Sequence, residues 1–292
     1  MINTKKCLIC KNGSKNDCLH WHEDTDTGML WVYCVGKCQR GYSLYDYCAH
    51  AGISLKEFLQ NDFEFEEAKP NEVRKMEWPA WFLPLHDRRS QSAIDYIKTR
   101  GLDIHGDMFY DSDSHGIVFP YYFHSTFVGA QIRLIVPRSG VDGEIQKMDT
   151  LPGTRLGLLF YNFDQSHFSD SVTGVIVTEG AFNSLSIQQA LNDMYGSRER
   201  VNPWRCIATS GSGLSDHQVE VLSEYKQKGL AVVMASDSDE AGMKMLRKAH
   251  DKECITHYSL TEYTDIDWND VLMRDGNTGL AQFFMKGIKR VS

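Results

Sequence analysis

No apolar run in this 292-residue chain approaches the roughly 18–20 residues that a membrane-spanning helix needs, which excludes a helical membrane protein. The N-terminus, "MINTKKCLIC", has lysines but lacks the apolar core of a secretory signal, so a cytoplasmic location is expected. Excess positive charge is missing too: 31 Lys and Arg stand against 39 Asp and Glu, a formal net charge of -8. That argues against a chain coated in nucleic acid, although a local basic groove can coexist with it and bound divalent cations would offset part of it. No G-x-x-x-x-G-K-[ST] loop occurs, which excludes a P-loop helicase module in this sequence. What is present suffices for a core: the hydrophobic content is 42%, and the length allows one large domain or two to three small ones.

Cysteine is abundant but uneven, with Cys7, Cys10, Cys18, Cys34, Cys38 and Cys48 in the first fifty residues and only Cys206 and Cys254 beyond. In a cytoplasmic chain such crowding points to metal rather than to disulfides. "CLIC" and "CVGKC" each form a short turn that can aim two thiolates at one ion, and Cys7, Cys10, Cys34 and Cys38 together complete a tetrahedron for one structural Zn²⁺. "MLWVYC" alternates like a strand leading into the second turn, so the unit reads as a zinc ribbon whose fold depends on its metal. The second pair is one residue wider than the commonest spacing, which leaves Cys18, His20 and His22 as alternative ligands. Cys48 falls on the apolar face of the helix expected in "SLYDYCAHAG" and reads as core. Trp21, Trp31 and Tyr33 suit either base stacking or packing beneath the ribbon.

Residues 61–79 are charged, carry two prolines and show no sustained period, as a linker does. "SQSAIDYIKTRGL" then has helical spacing with Gly101 as a stop, and "GIVFPYY" and "FVGAQIRLIV" read as strands joined by a short turn. Four cations, Arg133, Arg138, Lys147 and Arg155, are interleaved with Asp142, Glu144 and Asp149; each taken alone fits a solvated face as well as an anion site.

From residue 174 strand and helix alternate. "GVIVTEG" precedes the amphipathic-looking "AFNSLSIQQALNDM", "RCIATSGSG" precedes "SDHQVEVLSEYKQKG", "LAVVMASD" precedes "EAGMKMLRKAHDK", and "ITHYSL" offers a fourth strand. This order predicts a parallel sheet covered by helices, with its functional crevice at the carboxyl ends of the strands. Glu179 then lies at one strand end and Asp237 and Asp239 at another, with Asp267 and Asp270 just before a short terminal helix. Hard carboxylate oxygens at one edge suit Mg²⁺ or Mn²⁺ and phosphoryl transfer. Helix capping is the alternative for one of these acids, and Glu240 is the residue best assigned to it.

A Glu-Gly after one strand and Asp-x-Asp after a later one resembles the TOPRIM domain, shared by bacterial-type primases, some topoisomerases, certain nucleases and a recombination mediator. The rest of the chain follows the primase order. The zinc ribbon with "GYSLYDYCAHAGISLKEFL" is similar to the primase zinc domain. "AIDYIKTRGL", "GIVFPYYFHSTFVGAQIRL" and "IQKMDT" resemble the amino-terminal half of the primase polymerase core. "TSGSGLSDHQVEVL" and "DIDWNDVL" resemble its inter-motif loop and its acidic ending. The layout looks most like the compact stand-alone primases of large tailed phages, which would place the protein in the cytoplasm of a bacterial host.

The resemblance implies an α/β fold in parts. A zinc ribbon over 1–60 and a linker over 61–85 lead to an α+β amino-terminal subdomain over 86–170 and a TOPRIM subdomain with C-terminal helices over 171–292. It implies synthesis of short RNA primers on single-stranded DNA from ribonucleoside triphosphates. Glu179, Asp237 and Asp239 would hold Mg²⁺ or Mn²⁺, with Asp267 and Asp270 as outer ligands, and Glu179 could alternatively accept the hydroxyl proton. Arg133 and Lys147 would act beside them, and these two with Arg138 and Arg155 would contact template or triphosphate. The sequence ends soon after the core, which leaves no room for the helicase-binding domain of cellular primases; a separate hexameric helicase is the partner the resemblance implies. A TOPRIM-type nuclease and a non-enzymatic DNA-binding recombination mediator are the competing readings; a topoisomerase would need a much larger clamp.

Overall fold

The computed structural model describes residues 19–23, 30–34, 40–52, 73–104, 107–139, 145–162, 171–196, 200–211 and 213–291. The chain divides into two compact units, Met1–Glu72 and Val73–Ser292.

In the first unit, β1 (Leu19–Glu23), β2 (Leu30–Cys34) and β3 (Arg40–Ser43) form an antiparallel sheet followed by α1 (Leu44–Ala51). Val32 and Cys34, two apart on β2, are both buried, as strand alternation requires of one face. Tyr47 and Cys48 of α1 are buried as well, in keeping with a core role for Cys48.

The second unit holds two five-stranded sheets. The antiparallel one runs β4 (Phe82–Pro84), β5 (Phe109–Asp111), β6 (Gly116–Phe123), β7 (Thr126–Ser139) and β8 (Ile145–Thr150) in sequence order. Residues 73–85, expected at the end of a linker, belong to this unit: the Met76 N–H donates to the Phe127 carbonyl and β4 pairs with β5. Before β5 comes α2 (Gln91–Thr99), with Ala93 and Ile97 buried one turn apart.

The other sheet is built from β9 (Gly174–Thr178), β10 (Trp204–Ala208), β11 (Ala231–Ser236), β12 (His257–Leu260) and β13 (Lys289–Arg290), in the order β10-β9-β11-β12-β13. All neighbours are parallel except the β12–β13 pair. The helices are α3 (Ala181–Gly196), α4 (Asp216–Gln227), α5 (Glu240–Asp251) and α6 (Trp268–Gly287).

Continuous apolar runs in β9 and β11 follow from burial on both faces. Val175, Val177, Val232 and Met234 pack with residues of α4 and α5, whereas Ile176, Val233 and Ala235 join a larger core with α3, α6, α2 and one face of the antiparallel sheet. Each Val, Ile or Met among them contributes on the order of 1.5–3 kcal/mol when fully buried.

Two helices differ from their sequence pattern. α3 is buried nearly all round, so its polar residues Asn183, Ser184, Ser186 and Gln189 lie in the interior rather than on an outer face. α6 is two helical segments rather than one: it breaks at Gly276, whose φ of 67° is one that glycine alone adopts without strain. Among the described residues no helix is long and apolar enough to cross a membrane.

Candidate active site

β10 lies outside β9, and the chain then crosses back to place β11 on the other side of β9. A crevice opens at the carboxyl ends where connections diverge in this way, here between β9 and β11. Glu179 directly follows β9 and Asp237 directly follows its neighbour β11.

The backbone around both acids is fixed. The Ser210 N–H donates to the Glu179 carbonyl at 2.9 Å, prolonging the β9–β10 pairing past the strand end. The Ser238 N–H donates to Thr261 Oγ1 at 2.9 Å and its hydroxyl to the Thr261 carbonyl, which ties the 237–239 turn to the end of β12.

Asp239, not Glu240, caps α5: its Oδ1 accepts from the Gly242 N–H at 2.7 Å, leaving Oδ2 outside the cap. The residue before the first helical turn has the extended backbone that lets a side chain turn back onto it; Glu240 is already helical and contributes only charge to the first turn. Gly242 was not singled out in the sequence. A Cβ there would clash with the Asp237 carbonyl oxygen and lie 2.7 Å from Glu179 Oε1, so α5 approaches both acids as only glycine permits.

Electrostatics mark the cluster. Burial, then the charges of Glu179, Asp267 and Asp239, push the Asp237 carboxyl up to about 8, against a smaller opposing effect of Asn183. Burial, then Asp239, pushes Glu179 up to about 7. Burial also raises Asp267, although Arg100 and backbone hydrogen bonds oppose the shift. The five expected acids therefore act on one another, Asp270 through Asp267, whose carboxyl its charge helps to raise. Asp270 also completes a capping box with Asp267, accepting from its N–H at 3.1 Å while Asp267 accepts from the Asp270 N–H at 2.8 Å.

Glu179 Oε1 is buried with no hydrogen-bond partner. An unpaired buried oxygen among mutually repelling carboxylates fits a hard divalent cation, with Glu179, Asp237, Asp239 and Asp267 as the available donors. Among the described residues no three His, Cys, Asp or Glu side chains form a ready-made metal cage.

Glu179 and Asp237 bind protons in the folded chain that the unfolded chain releases, so their stabilising contribution is complete below about pH 4 and is lost as pH rises through about 7 to 8. The melting temperature in EDTA is therefore expected to fall between about pH 5 and about pH 9. Calorimetry should show Mg²⁺ raising it more at the alkaline end, where the carboxylates are free to bind.

Two arginines meet at one phenol, and the charge of one of them, Arg100, acts on Asp267. Tyr96 Oη accepts from Arg100 Nη2 at 3.2 Å and from Arg133 Nε at 3.3 Å. Burial alone would raise the Tyr96 hydroxyl, but the two guanidinium bonds outweigh it and hold its pKa below the ordinary value. Arg100 also lies over the Tyr96 and Phe182 rings, at 5.5 and 5.7 Å from their centroids. Among the described residues neither arginine forms an ion pair with a carboxylate. Two cations sharing a neutral phenol are disposed to bind an anion. Arg100 escaped the sequence reading; its one signal is its place before the helix-stopping Gly101.

The other expected cations are dispersed. Arg133 pairs with Met148 across β7 and β8, and Lys147 lies where that register shifts and is exposed. Arg138 donates to the Ser114 carbonyl at 3.2 Å and lies 3.9 Å from Asp149. Arg155 precedes a short 3-10 turn, Leu156–Leu158, at the edge of α4's packing. Of the expected zinc ligands, Cys34 ends β2 and is buried; Cys7, Cys10 and Cys38, with Cys18, lie outside the described residues. His20 and His22 lie on β1.

Comparison with known proteins places this architecture in two steps. Residues 176–272, from β9 to the start of α6, match the sequence family described as Toprim-like. Among solved structures, the chain shares its fold with catalytic cores of the DnaG primase. One DnaG catalytic core matches with a TM-score of 0.51 at 13% identity, covering 71% of this chain and 76% of that one. The RNA polymerase domain of Mycobacterium tuberculosis DnaG matches with 0.51 at 14% identity, covering 71% and 79%. The same domain in complex with a double-stranded DNA oligomer bearing a 6-nucleotide overhang gives 0.52 at 13%, covering 71% and 76%. Among curated proteins, none matches this chain.

Proposed function

We propose that this protein is a DNA primase that synthesises short RNA primers on single-stranded DNA by metal-dependent nucleotidyl transfer. The observation that carries the reading is the placing of Glu179 and Asp237 on adjacent parallel strand ends, within a primase-core fold that also holds an ion-pair-free pair of arginines.

When bound there, Mg²⁺ or Mn²⁺ supplies the positive charge that neutralises the triphosphate and the clustered acids. Glu179, Asp237 and Asp239 would hold it, with Asp267 as a further donor; Asp270 acts through its cap on Asp267. Arg100 and Arg133 bind phosphate oxygens and fix the incoming nucleotide. The 3′-oxygen of one nucleotide forms a bond to the α-phosphorus of the next, and the bond to the pyrophosphate oxygen breaks. In the alternative arrangement, with the cation on the other acids, Glu179 accepts the hydroxyl proton, a role that its raised pKa of about 7 suits. Lys147, Arg138 and Arg155 contact the template backbone on outer surfaces.

Cys7, Cys10, Cys34 and Cys38 bind one Zn²⁺, and the ribbon helps select the start site. Atomic absorption is expected to find about one zinc per chain, lost in Cys34→Ser. A separate hexameric helicase is the partner.

Incubation with single-stranded DNA, Mg²⁺ and labelled ribonucleotides, with and without such a helicase, tests the assignment. Short labelled RNA supports it. Nicked DNA without RNA would instead indicate a nuclease, and DNA binding without either product a recombination mediator.

A further inference from the structure

The interior position of α3 gives its polar residues a task. Asn183, four residues after Glu179, is buried, and its amide nitrogen straddles the Asp237 carboxylate at 3.4 Å from Oδ1 and 3.3 Å from Oδ2. Its own oxygen accepts the backbone N–H of Asn269 at 3.2 Å. That bond fixes the amide: with the oxygen committed to a donor on α6, the nitrogen must face Asp237.

Asn269 is fully buried and extends the chain of contacts. Its side-chain nitrogen donates to Ser186 Oγ at 2.9 Å and to the Arg100 carbonyl at 2.8 Å, and its oxygen accepts from Arg100 Nη1 at 3.3 Å. One continuous polar path thus runs from the Arg100 guanidinium to the Asp237 carboxylate.

We propose that Asn183 is the positioning residue for Asp237, and that with Asn269 it joins the cation-binding carboxylate and the anion-binding arginine into one hydrogen-bonded unit. Neutral amides suit the place. A lysine would form an ion pair with Asp237 and displace the cation, and a carboxylate would add to the repulsion. An amide donates to Asp237 without a charge, holding its rotamer while leaving the oxygens' remaining lone pairs for the cation.

This assignment rests on reading Glu179 and Asp237 as cation ligands, and its test separates the two. Mn²⁺ binding to the full chain is measured by electron paramagnetic resonance for wild type, Asn183→Ala, Asp237→Asn and Gln188→Ala. Gln188 is the control: it lies on the same helix and anchors β10 through the Cys206 N–H and the Trp204 carbonyl, without touching Asp237. Asn183→Ala should weaken Mn²⁺ binding by about tenfold or more, the scale at which residues behind a metal ligand act. Gln188→Ala should lower the melting temperature without changing Mn²⁺ affinity. Wild-type affinity in Asn183→Ala, with binding lost in Asp237→Asn, overturns the positioning role and leaves the cation site standing. Equal weakening in Asn183→Ala and Gln188→Ala overturns it in favour of a merely structural role for α3. No Mn²⁺ binding by wild type overturns the cation site and the positioning role together.

Discussion

Asp237→Asn is expected to lower primer synthesis by about a thousandfold, ~4 kcal/mol of transition-state stabilisation, while making the metal-free protein more stable. The two effects have one cause. Asp237 carries the strongest repulsion of the cluster, with burial and three neighbouring acids pushing it up to about 8. The amide keeps the shape of the side chain and can still accept from Asn183, but it removes a charge that the fold alone does not compensate. A gain of ~1 kcal/mol would raise the melting temperature by roughly 2–4 °C for a unit of this size. Calorimetry in EDTA at alkaline pH, beside the primer assay, measures both. A substitution that stabilises while abolishing activity is the signature of a site strained for function; a destabilised variant would place Asp237 among ordinary structural residues.

Gly242→Ala is the second large effect, from the smallest possible change. The added methyl meets the Asp237 carbonyl oxygen, which is backbone and tethered through Ser238 to Thr261, and stands 2.7 Å from Glu179 Oε1. Neither can retreat without moving an acid of the site. Overpacking of this kind costs about 1–3 kcal/mol, and a displacement near 1 Å at a reacting centre costs on the order of a hundredfold in rate. Turnover should therefore fall by about a hundredfold while circular dichroism shows a folded chain. Near-normal turnover would mean that α5 can withdraw from the crevice and that its close approach has no catalytic purpose.

The carboxylates were legible because strand endings are local: an apolar run giving out in an acid places that acid at the sheet's carboxyl edge, and the parallel order put Glu179 and Asp237 on neighbouring strands. Their support was not legible. Arg100 meets Asn269 across 169 residues and Asn269 meets Asn183 across 86, separations that no periodicity encodes. Asn183 and Ser186 look like the polar side of an amphipathic helix, and only the packing of α3 between the sheet and α6 turns that side inward. The surroundings of Lys147 were not legible either: the register pairs Arg133 with Met148 and then shifts before Arg138 pairs with Gln146, an irregularity that strand alternation does not announce. The capping of α5 turned on a single dihedral: Asp239, with ψ of 179°, precedes the helix and Glu240 begins it.

The central claim is that Glu179 and Asp237 serve template-directed nucleotidyl transfer. Pyrophosphate release, measured together with labelled RNA, tests it most directly. With single-stranded DNA, all four ribonucleoside triphosphates and Mg²⁺, and with a replicative hexameric helicase present, pyrophosphate should appear in step with RNA complementary to the template. Both should vanish in Asp237→Asn. Pyrophosphate and RNA absent from the wild type under those conditions, or undiminished in Asp237→Asn, would contradict the account.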